Sequence, residues 1–225
     1  MNLFDVIGPV MIGPSSSHTA GAVRIGAVSR SLLGSVPKSV EITVHGSFAR
    51  TGKGHGTFPA LLGGVLGFGI DDINIRNSFA FAAKEQVRVT FYEADLGLVH
   101  PNTAQLNLTG TDGSHVSVLA SSVGGGRIQV NRIDGYEVSF SAELDTLAVF
   151  YADRPGVLAG ITASLSSFGV NIAYMRVSRK SKGEQAVMVC ETDQEIPEEC
   201  LSQVRGYPLI QRAVYVPPLR ERVLS

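Results

Sequence analysis

The sequence predicts an α+β chain of two domains, and two observations carry that prediction. Residues 39–48, SVEITVHGSF, alternate: Val40, Ile42 and Val44 face one side while Glu41, Thr43 and His45 face the other, which marks a half-buried strand. From about Asp145 the texture changes to a strand–helix–strand–strand–helix–strand succession that runs almost to the end. With 225 residues, 44% of them apolar, the chain is long enough for one or two domains with a real core.

Taken in order, the segment up to Pro14 reads as strand or loop. A helix follows from about Ser17 to Leu33, stopped by Gly34 and Pro37. After the alternating strand, ARTGKGHGT (residues 49–57) reads as a glycine-rich loop. FPALLGGVLGF reads as a short helix with Pro59 in its first turn, where a missing N–H costs little. QVRVTFYEA is a strand, and TAQLNLTGTDGSHVSVLASSV is two strands joined by a turn at Thr111-Asp112-Gly113. Beyond Gly124–Gly126, two further short strands meet at Asp134-Gly135. These elements make a first domain, residues 1–142, of α/β substrate-binding type with a mixed sheet.

SAELD, at residues 141–145, is the linker-like stretch. TLAVFYAD is a strand. RPGVLAGITASLSSFG is a helix entered at Pro155 and stopped by Gly169, with Val157, Ile161 and Leu165 at spacing four on one face. VNIAYMRVSRK and EQAVMVCETD are strands flanking a turn at Ser181–Gly183. PEECLSQVRG is a second helix and IQRAVYVP a last strand. The βαββαβ order over residues 146–220 is the ferredoxin-like split arrangement.

Composition excludes several function classes. The net charge is −1 and no segment runs basic, so nucleic acid is not an expected partner. No apolar run reaches the roughly 18 residues of a membrane span. MNLFDVIG shows no basic leader followed by an apolar stretch, so no secretory signal is expected and the cytoplasm is the default. Two cysteines, Cys190 and Cys200, make no disulfide framework.

Two stretches concentrate chemistry: Ser15-Ser16-Ser17-His18-Thr19 and Thr51-Gly52-Lys53-Gly54-His55-Gly56-Thr57. Capping a helix needs one of those serines, worth about 1 kcal/mol, and leaves His18 and two serines unexplained. A phosphate-binding loop is not expected, because Gly54 stands where the magnesium-binding hydroxyl belongs. A metal site from His18, His45 and His55 has no supporting HExxH or CxxC spacing, while His100 and His115 read as structural. A small carboxylate substrate calls for hydroxyl and N–H donors at a helix entrance. A reaction at an acidic C–H calls for a base with a pKa near neutral, which histidine provides. The two stretches together supply both.

The motifs IGPSSSHTAG (12–21), HGSFARTGKGHGT (45–57), HPN (100–102) and SVGGG (122–126), followed by DRPGVLAGITASLSSFGVNI (153–172), resemble the β chain of bacterial iron–sulfur-dependent L-serine dehydratases with a C-terminal ACT domain. The first domain is similar to the allosteric substrate-binding domain also found in some 3-phosphoglycerate dehydrogenases. The resemblance implies conversion of L-serine to pyruvate and ammonia, an L-serine ammonia-lyase, with a [4Fe-4S] cluster. Such a cluster takes at least three cysteines on this scheme, and this chain has two, so the ligands are expected on a partner α chain and none in this chain.

By the family's pattern His55 is the candidate base for the Cα proton, with His18 the second catalytic candidate and the alternative base. His18, with Ser15, Ser16, Ser17, Thr19 and Thr57, would hold substrate; Lys53 would add charge, and Asn102 with Gly124–Gly126 would shape the site. In the ACT part, Asp153, Gly156 and Asn171 are the candidate effector residues, and pairing through ACT domains is expected. Asp153 stands where similar ACT domains carry Asn; an aspartate repels a carboxylate, so an amine or a monovalent cation suits it better. The alternatives are a purely regulatory, amino-acid-sensing subunit and a pyridoxal-phosphate enzyme, for which Lys53 alone sits in a suggestive place.

Overall fold

The structure is a computed structural model that describes residues 11–219; the expected strand or loop at the extreme N-terminus falls, for residues 1–10, outside the described residues. The described residues divide into two compact units, one reaching to residue 134 and the other from residue 135 to 219.

In the first unit a π turn, Ser16–Ala20, leads into α1 (Gly21–Leu33). Then come β1 (Pro37–Val44), α2 (Gly46–His55), α3 (Thr57–Leu66), a 3-10 turn (Ile73–Asn77), α4 (Ser78–Lys84), β2 (Arg88–Glu93), β3 (Thr103–Gly110), β4 (His115–Gly124) and β5 (Arg127–Ile133). These five strands run in the order β2-β1-β3-β4-β5. The β1–β2 pair is parallel and the others antiparallel, so the sheet is mixed, as the sequence predicts. The alternation read in β1 is real: Val40, Ile42 and Val44 are buried and Glu41 is exposed.

Helices α1 and α3 pack so closely that their backbones touch. A Cβ on Gly26 would lie 2.2 Å from the Leu61 carbonyl oxygen, and one on Gly64 would lie 2.0 Å from that of Val23. Only glycine permits that approach. It fixes the entrance of α1 relative to the entrance of α3, and both entrances carry candidate site residues.

The second unit holds β6 (Tyr136–Phe140), β7 (Asp145–Ala152), α5 (Val157–Ser167), β8 (Ile172–Arg179), β9 (Gln185–Thr192), α6 (Glu198–Arg205) and β10 (Ile210–Val216). The four strands β10-β7-β9-β8 form one antiparallel sheet. Its core joins Leu147, Val149 and Tyr151 of β7 to Ile161 and Leu165 of α5 and Cys200, Leu201 and Val204 of α6. The βαββαβ prediction therefore holds element by element from β7 to β10.

Three local expectations are corrected. Residues 49–57 are mostly helical, not a loop: α2 runs through Gly52 and Gly54 to His55 before Gly56 turns left-handed at φ 72°. Tertiary packing overrides glycine's poor helix propensity, since Phe48 is fully buried and Gly52 makes room for the Phe58 ring. The helix expected from Ser17 begins instead as a π turn, closed by the Gly21 N–H on the Ser16 carbonyl. Helix α4 and the 3-10 turn before it, where Asp72 caps through its side chain at 2.8 Å from the Asn74 N–H, were not expected.

Candidate active site

The two stretches singled out in the sequence meet. Ser15 is in extended conformation and caps the π turn, its Oγ accepting from the His18 N–H at 3.2 Å. Within the turn the Ser17 hydroxyl is 3.0 Å and the Ser15 hydroxyl 3.4 Å from His18 Nδ1, and the two hydroxyls lie 3.2 Å apart. From α2, Thr51 Oγ1 lies 3.0 Å and Ser47 Oγ 3.2 Å from His18 Nε2. The imidazole thus bridges the entrance of α1 to α2 with both nitrogens engaged.

His18 is only 8% exposed. Its pKa is lowered from 6.5, first by burial and second by His55, while a hydrogen bond to the Ser47 backbone opposes the shift. His55 stands edge to face with it, ring centroids 5.1 Å apart, and is itself exposed. Phe48 takes another edge-to-face position against His18 at 5.3 Å. Thr19 is buried, its hydroxyl donating to the His55 carbonyl at 3.4 Å, and Gly13 leaves it room, because a Cβ there would fall 2.4 Å from Thr19 Oγ1.

Thr57 opens α3 just past His55. It is fully buried, and its Oγ1 has no hydrogen-bond partner among the described residues. A buried hydroxyl left alone costs roughly 1–3 kcal/mol, so the fold carries a cost here. Ser16 is half-buried and Lys53 lies within α2, its side chain outside the described residues. The HPN loop abuts the start of α2: the Ser47 N–H donates to the Pro101 carbonyl at 2.7 Å, and Gly46, at φ 57°, allows the approach. Asn102 ties the loop to β4, its carbonyl accepting from the Ser122 N–H at 2.9 Å. Gly124, Gly125 and Gly126 all have positive φ, and Arg24 Nη1 of α1 donates to the Gly126 carbonyl at 2.9 Å.

The histidines do not converge as a trio. His45 Nδ1 accepts from the Leu96 N–H at 3.1 Å, with the Asp95 carboxylate 3.5 Å away. His100 and His115 make local bonds, to the Asn102 N–H and to Thr109. No cluster of three metal-ligating side chains exists among the described residues. Cys190 and Cys200 are buried in the core of the second unit, and burial pushes the Cys190 thiol up to about 12. The donor set of the described residues therefore does not fit an iron–sulfur cluster.

A family model described as serine dehydratase beta chain matches residues 2–90, and one for the ACT domain matches residues 146–208. The chain is 40% identical over 209 residues to the probable L-serine dehydratase, beta chain, of Bacillus subtilis, spanning 93% of this chain and 94% of that protein. It belongs to the serine dehydratase beta-chain family.

Within that family it is also 36% identical over 214 residues to the L-serine dehydratase, beta chain, of Peptoniphilus asaccharolyticus, covering 95% of this chain and 96% of that one. A more distant likeness, 27% over 177 residues, is to the D-3-phosphoglycerate dehydrogenase of Mycobacterium bovis, where the match covers 78% of this chain and 34% of that protein. In the ACT unit the three candidate effector residues are occupied or open in different ways. Asp153 Oδ2 accepts from Arg179 Nη1 at 2.8 Å and from the Gly183 N–H at 3.0 Å, which together hold its carboxyl below the usual range. Asn171 is bonded to the Asp193 side chain at 2.6 Å, and Gly156 is exposed at φ 90°. Asp153 is thus engaged within the chain, by Arg179 and the Gly183 N–H.

Ser47 is the site residue that sequence reading missed, and Thr51, though it heads the second stretch, was given no role there. Their spacing of four places both on one helix face, but that signal exists only once 46–55 is read as a helix.

Proposed function

We propose that this chain is the β subunit of an L-serine ammonia-lyase, converting L-serine to pyruvate and ammonia together with a partner α chain. The observation that carries the reading is the pairing of an exposed imidazole, His55, with a buried, hydroxyl-bonded one, His18, between two helix entrances. A helix entrance with hydroxyls favours a carboxylate. An exposed imidazole beside it is placed to take a proton from the adjacent carbon. The serine-lined entrance Ser15–Ser17 faces the substrate, with Ser16 free to donate to its carboxylate, Thr19 orients the segment that carries His55, and His55 accepts the Cα proton.

The [4Fe-4S] cluster belongs, in this reading, to the partner chain, because the residues of this one do not fit it. The ACT unit serves regulation or assembly, through pairing of ACT units, and the complex works in the cytoplasm on serine catabolism feeding gluconeogenesis. Among the described residues no helix is long and apolar enough to cross a membrane.

The test is co-purification. Tagged chain expressed with its candidate partner should bring down a cysteine-rich subunit, and L-serine turnover should require both. Turnover by this chain alone would overturn the reading. A chain that modulates the partner's response to effector, while His55→Ala leaves maximal turnover intact, would make it a regulatory subunit.

A further inference from the structure

The hydrogen bonds around His18 fix which of its nitrogens carries the proton. Thr51 Oγ1 is 2.9 Å from the Ser47 carbonyl oxygen and donates to it, the bond a helical threonine makes to the residue four back. A hydroxyl has one proton. With that proton on the carbonyl, Thr51 meets His18 Nε2 at 3.0 Å only as an acceptor. Two lone pairs at that distance repel, so Nε2 is the protonated nitrogen. Nδ1 then has a lone pair, and the Ser17 hydroxyl, at 3.0 Å, donates to it. The Ser15 hydroxyl stands 3.2 Å behind Ser17 with its own lone pair on the His18 N–H, so it is oriented to donate onward.

We propose that Thr51 is a positioning residue that locks His18 in the Nε2–H tautomer, so that Ser15 donates to Ser17 and Ser17 to Nδ1, the acceptor that ends the chain. The lowered pKa of His18 agrees, because a ring that is neutral near pH 7 has a single proton to place. Among the described residues the titratable side chain facing the ring is His55. With their protons committed along this chain, Ser15 and Ser17 meet a substrate as acceptors, and the Thr19 hydroxyl donates to the His55 carbonyl, which leaves carboxylate donation to Ser16. Both ring nitrogens of His18 are then occupied, which assigns proton abstraction to His55. The catalytic meaning of this chain rests on the dehydratase reading; the tautomer itself does not.

The experiment is nitrogen-15 NMR of the full chain labelled at histidine, with His18 assigned by the signal lost in His18→Gln. The expected spectrum shows a protonated Nε2 and a bare Nδ1. Thr51→Val should shift the ring toward Nδ1–H, and Thr51→Ser should restore the original pattern. A wild-type ring that is mainly Nδ1–H, or a tautomer unmoved by Thr51→Val in a folded variant, overturns the proposal without touching the assignment of function. In the assembled enzyme Thr51→Val should lower kcat about tenfold with little change in KM, and Thr51→Ser should recover it; an unchanged kcat overturns the positioning role.

Discussion

The imidazoles of His18 and His55 meet edge to face, their centroids 5.1 Å apart and their planes at 77°. One is buried and bonded at both nitrogens; the other is exposed. Two identical side chains are thereby given different environments, and different environments separate acid–base roles.

The first consequence is a pH dependence of stability. His18 has a folded-state pKa below 6.5, so between 6.5 and that lower value the unfolded chain binds a proton that the folded chain refuses. Stability is therefore full above about pH 7, falls as pH drops through 6.5, and levels off below the folded-state value. Urea unfolding midpoints should decrease from pH 7.5 to 5.5, and the decrease should shrink in His18→Gln. An equal decrease in the variant would contradict the burial argument.

A second prediction separates stability from function at Thr57. Replacing a buried, unpaired hydroxyl by a methyl removes a desolvation cost. Thr57→Val should raise stability by about 1 kcal/mol while reducing turnover of the assembled enzyme. Thr103→Val is the control: that hydroxyl bonds to Ser121 at 2.7 Å, and its loss should destabilise. Denaturant curves beside initial rates decide it, and destabilisation by Thr57→Val would refute the claim.

At the α1–α3 contact the cost of a methyl group is steric. Gly64→Ala places a Cβ 2.0 Å from a backbone oxygen, which side chains cannot relieve, and should cost about 1–3 kcal/mol or more. Gly54→Ala meets nothing within 4 Å and lies in a helix, so it should stabilise by up to about 1 kcal/mol. Thermal melts of the two variants should move in opposite directions.

In the ACT unit, Asp153 is engaged by Arg179 and the Gly183 N–H rather than open to a ligand carboxylate. Calorimetry of the full chain with L-serine should show no binding that Asp153→Ala abolishes. Tight binding lost in that variant would place an amino-acid effector on Asp153 after all.

How legible the molecule was in its sequence depended on whether local signals and tertiary packing agreed. From β7 to β10 they agreed: Pro155 and Gly169 bound α5, the spacing of Val157, Ile161 and Leu165 gave its face, and turns separated the strands. In residues 46–57 they conflicted. Gly52, Gly54 and Gly56 read as loop, yet the burial of Phe48 and the bonds from Ser47 and Thr51 to His18 belong to a helix. The histidines and serines were visible as a cluster because they are adjacent in sequence. The partnership of Ser47 and Thr51 with His18 was not, because that partner lies 29 and 33 residues away. Helix α4 escaped for a simpler reason: SFAFAAK has no side-chain cap of its own, and it is fixed by packing against α3 and β2.

The central claim is that this chain supplies the base for the dehydration of serine. The direct measurement is L-serine turnover by the complex assembled with His55→Ala, with assembly confirmed by co-purification. A loss on the order of 10²–10⁴ in kcat is the expected result. Turnover near the wild-type rate in the fully assembled variant would contradict it.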